Sequence, residues 1–247
     1  MHDLFRITVI GSIAGIIGTG SGGLIILFVD KITKRFLSFI MEFSAGLMMS
    51  IVCFDLLPEA FSLGGIGVTI VGMVIGTALI VGLDDLIRRL EVVKRAAHKG
   101  SLMRAGILLA VGIALHNFPE GVAIGSGFDA SMSLGLSLAL VIALHDMPEG
   151  IAMAIPMRAG GMAKGRVIFW TILSGVPTGI GALLGGVLGG ISNMVISICL
   201  GFAGGAMLYI ICGELIPESK SMYRGRLSSI GNILGIITGM VLALGLG

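Results

Sequence analysis

Charged side chains fall in bunches along this chain, with long apolar runs between them. Residues 7–29, 60–83 and 227–247 carry no charge, and 167–213 is an uncharged run of 47 residues. A helix needs about 20 mostly apolar residues to cross the hydrocarbon core of a bilayer, so each of the first three runs suffices for one crossing. The fourth holds Gly189-Gly190-Ile191-Ser192-Asn193 near its middle, a turn signal that divides it in two. Residues 36–57 form another apolar segment, with Glu42 and Asp55 inside it, and 103–127 and 133–157 form two more with acidic residues near mid-span. The pattern predicts an all-α polytopic membrane protein with eight transmembrane helices, at 7–29, 36–57, 64–83, 103–127, 133–157, 167–188, 194–213 and 228–246. The first is too long for a signal-peptide core and lacks an A-x-A site, so it is expected to be retained.

The basic residues supply an orientation. Lys31, Lys34 and Arg35 follow span one; Arg88, Arg89, Lys94, Arg95 and Lys99 follow span three; Arg104 opens span four. Arg158, Lys164 and Arg166 follow span five, and Lys220, Arg224 and Arg226 follow span seven. All but Arg6 of the 16 Lys and Arg thus fall on one side, which the positive-inside rule makes cytoplasmic. Both termini then face outward, and residues 85–101 form a short cytoplasmic loop whose one histidine is His98.

Composition agrees. Of 247 residues 12% are charged, about half the share in a soluble domain, and mean hydropathy is +1.07. Such a chain cannot cover a water-facing surface, which excludes a cytosolic enzyme, a secreted scaffold and a nucleic-acid binder. Its surroundings are membrane lipid. Cys53, Cys199 and Cys212 lie in apolar runs without C-x-x-C spacing, so neither a disulfide framework nor a thiolate metal cluster is indicated.

Two internal repeats organise the single transmembrane domain, 1–247. Ile113-Ala-Leu-His-Asn-Phe-Pro-Glu-Gly-Val-Ala-Ile124 matches Ile142-Ala-Leu-His-Asp-Met-Pro-Glu-Gly-Ile-Ala-Met153 at an offset of 29, with 8 of 12 identities. A second offset, 159, carries residues 43–59 onto 202–218, Thr19-Gly20 onto Thr178-Gly179, and Gly72 and Gly76 onto Gly231 and Gly235. Spans 1–3 (7–83) and spans 6–8 (167–246) therefore read as an inverted repeat flanking spans 4–5 (103–157), a 3+2+3 plan. Inverted repeats with interrupted mid-membrane helices point to a transporter.

Helical spacing puts His116, Asn117 and Glu120 on one face of span four, and His145, Asp146 and Glu149 on one face of span five. A carboxylate at mid-bilayer costs roughly 2.5–3.5 kcal/mol on insertion scales, so six polar side chains at matching depth need a shared partner. Two imidazoles and two carboxylates make a four-ligand N/O set that zinc and related divalent ions accept. Asn117 and Asp146 offer oxygens for an adjacent ion, or contacts that orient the first set. The alternative is polar glue between helices, and two antiparallel copies of one motif weigh against it. Pro119 and Pro148 free the carbonyls of Leu115 and Leu144, which suits a cavity-lining position.

HNFPEG and HDMPEG resemble the paired motifs of the Zrt/Irt-like (ZIP) divalent metal transporters, and FDLLPEAF and GELIPES look like that family's second and seventh helices. The resemblance covers essentially the whole chain. It implies import into the cytoplasm of zinc, and often iron, manganese or cadmium (Zn²⁺, Fe²⁺, Mn²⁺, Cd²⁺), by an elevator-like or rocking movement between inverted three-helix units and the other helices. The ion is substrate, with no organic cofactor. By similarity the main site uses His116, Glu120, His145 and Glu149 with Met48 nearby, while Asn117 and Asp146 help form a second site bridged by Glu120 and Glu149. Many relatives place a glutamate in span six where this chain has Thr178, so one strong site is expected and the second weak or absent.

Other residues carry less. Asp55 and Glu59 at the outer end of span two, and Glu214 and Glu218 at the inner end of span seven, suggest an entry funnel and an exit relay, or ordinary interfacial carboxylates. Met48 is a soft thioether ligand or core filler. Glu42 is expected to pair with a cation of the first loop, and Pro58 and Pro217 to end or kink their helices. The many small residues leave room for close packing of a second copy, a homodimer. An intramembrane zinc hydrolase is the rival reading, weakened by the absence of an H-E-x-x-H motif.

Overall fold

The structure, a computed structural model, describes residues 2–25, 28, 33–89 and 101–246; every regular element among them is helical. The elements are α1 (His2–Ile25), α2 (Lys34–Ile51), a π turn (Val52–Leu56), α3 (Leu57–Arg89), α4 (Ser101–Ala130), α5 (Met132–Ala159), α6 (Lys164–Gly189), α7 (Asn193–Ile210), a second π turn (Ile211–Leu215), α8 (Ile216–Met222) and α9 (Arg226–Leu246). Most of the loop expected at 85–101, including His98, lies outside the described residues.

Backbone groups in hydrocarbon must be satisfied within their own segment, which is why apolar runs of this length become helices. Among the described residues, Leu4–Ile25, Lys34–Leu83, Met132–Ala159, Lys164–Gly189 and Asn193–Met222 are long and apolar enough to cross a membrane, and Arg226–Leu242 is a shorter apolar helix. The outward faces confirm the setting: Val74, Ile233 and Val241 are 62%, 56% and 64% exposed, apolar side chains where a soluble bundle would be charged.

The 50 residues Lys34–Leu83 fold back on themselves. Gly65 has φ 78° and ψ 165°, a conformation closed to ordinary L side chains, and nothing occupies the place of its missing Cβ. Ser197 Oγ on α7 donates to the Ala60 carbonyl at 2.8 Å and lies 3.1 Å from Thr69 Oγ1, so the arms before and after Gly65 run together along α7. The second span thus continues past Pro58 to Gly65 rather than stopping at 57. Proline causes no break there because a π turn, with the Leu57 N–H on the Val52 carbonyl, precedes it. Pro217 follows its own π turn in the same way, at the start of α8.

Helices α1, α4, α5 and α6 pack on one another; α3 packs on α7 and α9 on α2; the seam between these groups runs along α4–α7 and α2–α5. This grouping cuts across the boundaries of the sequence repeats. Glycines set the closest approaches, where a Cβ would strike a facing carbonyl. In the first group Gly22 lies against the Met147 carbonyl and Gly150 against that of Thr19, while Gly181 lies against Phe118 and Gly121 against Thr178. In the second, Gly72 and Gly76 meet the carbonyls of Ile198 and Phe202, while Gly231 and Gly235 meet those of Phe39 and Phe43. Each contact recurs under the offsets of 159 and 29 residues, and the two π turns are also 159 residues apart.

Candidate metal centre

Helices α4 and α5 run unbroken through Pro119 and Pro148 and bring their motif faces together. His116, Asn117, Glu120, His145, Asp146 and Glu149 are all buried, none more than 4% exposed. Each imidazole is aimed by its own helix. His145 Nδ1 is 3.1 Å from the Val141 carbonyl, and His116 Nδ1 faces the Gly112 carbonyl in the equivalent position. A carbonyl only accepts, so Nδ1 carries the hydrogen and Nε2 is turned toward the site. His145 Nε2 then lies 2.9 Å from Glu120 Oε1 and 3.4 Å from Asp146 Oδ1. With Nδ1 already protonated, a cation must mediate between Nε2 and these carboxylates, whether a proton or a metal ion.

Three residues, Glu120, His145 and Asp146, bring ligand atoms within 4.8 Å of one another. The resemblance assigned Asp146 to a second site; here it stands with two members of the main set. His116 Nε2 instead lies 3.7 Å from Glu214 Oε2, on the second π turn, where that carboxylate is 29% exposed. Glu149 and Asn117 complete the buried group.

Neighbouring helices hold this group in place. Asn117 Nδ2 donates to the Ser174 carbonyl of α6 at 2.7 Å, and Ser44 Oγ of α2 donates to the His145 carbonyl at 2.9 Å. Met48 is fully buried one turn beyond Ser44, in an apolar cluster that includes Ile151 and Ala152 of α5. Thr178 is buried on α6, at its crossing with α4 and α1. Asp55, in the first π turn, and Glu59 and Glu218 are partly exposed.

What remains is a set of oxygens without hydrogen-bond partners: Asn117 Oδ1, Glu120 Oε2, both oxygens of Asp146 and of Glu149, and Thr178 Oγ1. Leaving such groups dry costs free energy that ordinary folding avoids. Apart from the Thr178 hydroxyl they are acceptors only, and beside them stand two imidazoles with Nε2 directed inward. That donor chemistry fits a borderline divalent cation such as Zn²⁺.

Glu42 is a correction. Among the described residues its buried carboxylate pairs with Lys220 Nζ of α8 at 2.9 Å, and not with Lys34 or Arg35, while its backbone carbonyl accepts from Asn232 Nδ2 of α9. Ser38 and Ser219, 181 residues apart and joined nearby at 2.9 Å, show the same packing of α2 against α8. Ser44 and Ser174 were missed, because nothing in a lone serine tells which distant carbonyl it will meet or hold.

An apolar-surfaced helical bundle with buried, unpaired acceptors defines a membrane protein built to handle cations. Comparison with known proteins agrees: the ZIP zinc transporter family model matches residues 89–247. The chain is 32% identical over 244 residues to the zinc transporter ZupT of Corynebacterium glutamicum, covering 91% of each. It is 36% identical over 151 residues to the zinc transporter GufA of Myxococcus xanthus, and 39% over 162 residues to the zinc transporter ZIP11 of Xenopus tropicalis. Those two matches take in 61% and 62% of this chain but only 59% and 48% of the relatives' lengths. The chain belongs to the ZIP zinc transporter family. That is a family of transporters rather than enzymes, which sets the hydrolase alternative aside.

Proposed function

We propose that this chain imports Zn²⁺ into the cytoplasm through the buried site between α4 and α5. The observation that carries the reading is the set of orphaned oxygens on Asn117, Glu120, Asp146 and Glu149 facing two oriented imidazoles. Carboxylate-rich N/O sites bind weakly enough to release an ion, as a transporter must. Fe²⁺, Mn²⁺ and Cd²⁺ are accepted by the same donor types and are further candidate cargo.

In this reading residues 1–247 form one transmembrane domain of eight passes, with both termini outside. The recurrence of helix contacts and π turns at 159 residues supports an inverted 3+2+3 repeat. Asp55 and Glu59 form the outer mouth; Glu214 and Glu218 form the inner one. The 3.7 Å approach of Glu214 to His116 supports a hand-over from the buried site toward the cytoplasm. His116, Glu120, His145 and Glu149 are the principal ligands with Met48 adjacent, and Asp146 and Asn117 contribute oxygens. Thr178 offers a neutral hydroxyl where a carboxylate would hold a second ion, so one ion binds strongly.

The test is Zn²⁺ entry into proteoliposomes loaded with an indicator, comparing wild type with His116→Ala/His145→Ala. Saturable entry abolished by the double substitution is the expected result. Equal entry through both proteins would remove the site from the pathway.

A further inference from the structure

A cavity opens between α2 and α5, beside the metal motif. It has a volume of about 800 Å³ and an apolar wall, bounded on α2 by Phe36, Ile40, Phe43 and Leu47 and on α5 by Leu144 and Pro148. Thr33 and Thr238 are its hydroxyl-bearing lining residues, and both are otherwise engaged. Thr33 Oγ1 accepts from the Phe36 N–H at 3.2 Å, and Thr238 Oγ1 donates to the Leu234 carbonyl at 2.8 Å. Nothing in the wall asks for water. The space is nonetheless open to the outside of the bundle, since Phe36 is 52% and Leu144 45% exposed.

Its shape follows α2. The wall residues from Thr33 to Leu47 repeat every three or four positions and so occupy one helix face. Fourteen residues at 1.5 Å each give about 21 Å, longer than one leaflet's share of the hydrocarbon core, about 15 Å. The end at Thr33 is cationic. Lys34 and Arg35, in the first turn of α2, are exposed, with the Arg35 guanidinium 5.7 Å from the centre of the Tyr223 ring. Among the described residues no carboxylate pairs with Lys34. The N-terminal end of the α2 dipole, at Lys34 and Arg35, also favours an anion.

We propose that this cavity seats one anionic phospholipid, with an acyl chain along α2 between Phe36 and Leu47 and the phosphate at Lys34 and Arg35. The long apolar slot and the positive charge at one end match the two halves of that one molecule. The chain lies against Met147 and Pro148, which flank Asp146 and Glu149 in sequence, and it fills the seam between the two helix groups. The assignment does not depend on the direction or identity of the transported ion.

The test uses the full chain purified in detergent, offered phosphatidylglycerol or phosphatidylcholine and weighed intact by native mass spectrometry. Wild type retains one phosphatidylglycerol per chain in preference to phosphatidylcholine. Lys34→Gln/Arg35→Gln lowers that preference about tenfold, and Thr238→Trp, which fills the slot from α9, removes the retained lipid. A second readout places a reporter at the mouth, Phe36→Trp in a Trp170→Phe background. Phosphatidylglycerol with brominated chains quenches it saturably at low mole fraction. No retained lipid, equal retention of both lipids, or quenching that rises only in proportion to total lipid would overturn the proposal. So would a Thr238→Trp protein that keeps its lipid and loses a dimer instead, which would make a second copy the occupant.

Discussion

Two groups of buried carboxylates in this molecule differ in the cation beside them, a lysine at Glu42 and a histidine at Glu120. Glu42 is 2% exposed and has a cation, Lys220 Nζ, at 2.9 Å. Nearby, Ser38 bonds to both Ser219 and Ser228, and Asn232 ties the Glu42 backbone to α9. Glu120, Asp146 and Glu149 are equally buried, yet both oxygens of Asp146 and Glu149 lack hydrogen-bond partners and no lysine or arginine is paired with them among the described residues. A charge that serves the fold arrives with its partner in the same chain. On the proposed function, the partner of Asp146 and Glu149 is the transported ion. The first arrangement ties α2 to α8 and α9; the second lies between α4 and α5.

The contrast is broken most strongly by removing charge from the second group. Glu120→Gln and Asp146→Asn should lower zinc uptake by about 100-fold or more, since even residues that only orient metal ligands cost 10- to 100-fold. Both proteins should keep their thermal stability: Asp146→Asn removes a buried charge that has no hydrogen-bond partner, and the amide of Glu120→Gln can still donate to His145 Nε2. Uptake by folded protein in liposomes and melting in detergent check the two halves together. A protein that loses stability and uptake in parallel would mean that these carboxylates are structural.

Acid gives the next largest effect. Protons compete with the cation for imidazole and carboxylate alike, so lowering the pH moves the site toward its protonated, ion-free form. Zinc uptake should fall steadily from about pH 8 to about pH 5 in liposomes held without a pH gradient. Flat uptake across that range would contradict the ligand set.

Lys220→Ala addresses the first group and should do the reverse of Glu120→Gln. Stranding a buried carboxylate costs about 3–5 kcal/mol when both partners are enclosed, and Lys220 is 37% exposed, so about 2 kcal/mol is expected. Uptake per folded molecule should change less than twofold. The smallest effect belongs to Thr178→Glu, which supplies the absent carboxylate and should raise the zinc bound per chain from one ion to two, read by calorimetry. An unchanged stoichiometry would show that the second site lacks more than this group.

The motif faces were legible in the sequence because a helix fixes them locally. His116 with Glu120, and His145 with Glu149, share a face by spacing alone, and the 29-residue repeat sets them at matching places. Long apolar helices were legible from charge-free runs. Boundaries were not always: Pro58 reads as a stop, but the π turn before it absorbs the missing hydrogen bond and the helix continues to Gly65. Contacts between distant segments were illegible for a different reason. Lys220 and Glu42 are 178 positions apart, and Asn117 bonds the carbonyl, not the side chain, of Ser174. No local pattern records such pairings. The repeat offset foretold more than it named, since it also relates the glycine contacts of α3 on α7 to those of α9 on α2.

The central claim is that the orphaned oxygens and the two Nε2 atoms receive the ion, and zinc X-ray absorption on the loaded protein tests it most directly. The account predicts a nitrogen and oxygen shell at about 2.0–2.1 Å with outer scattering from imidazole, lost in His116→Ala/His145→Ala. A sulfur-dominated shell near 2.3 Å, or a spectrum unchanged by the double substitution, would place the ion elsewhere and contradict the account.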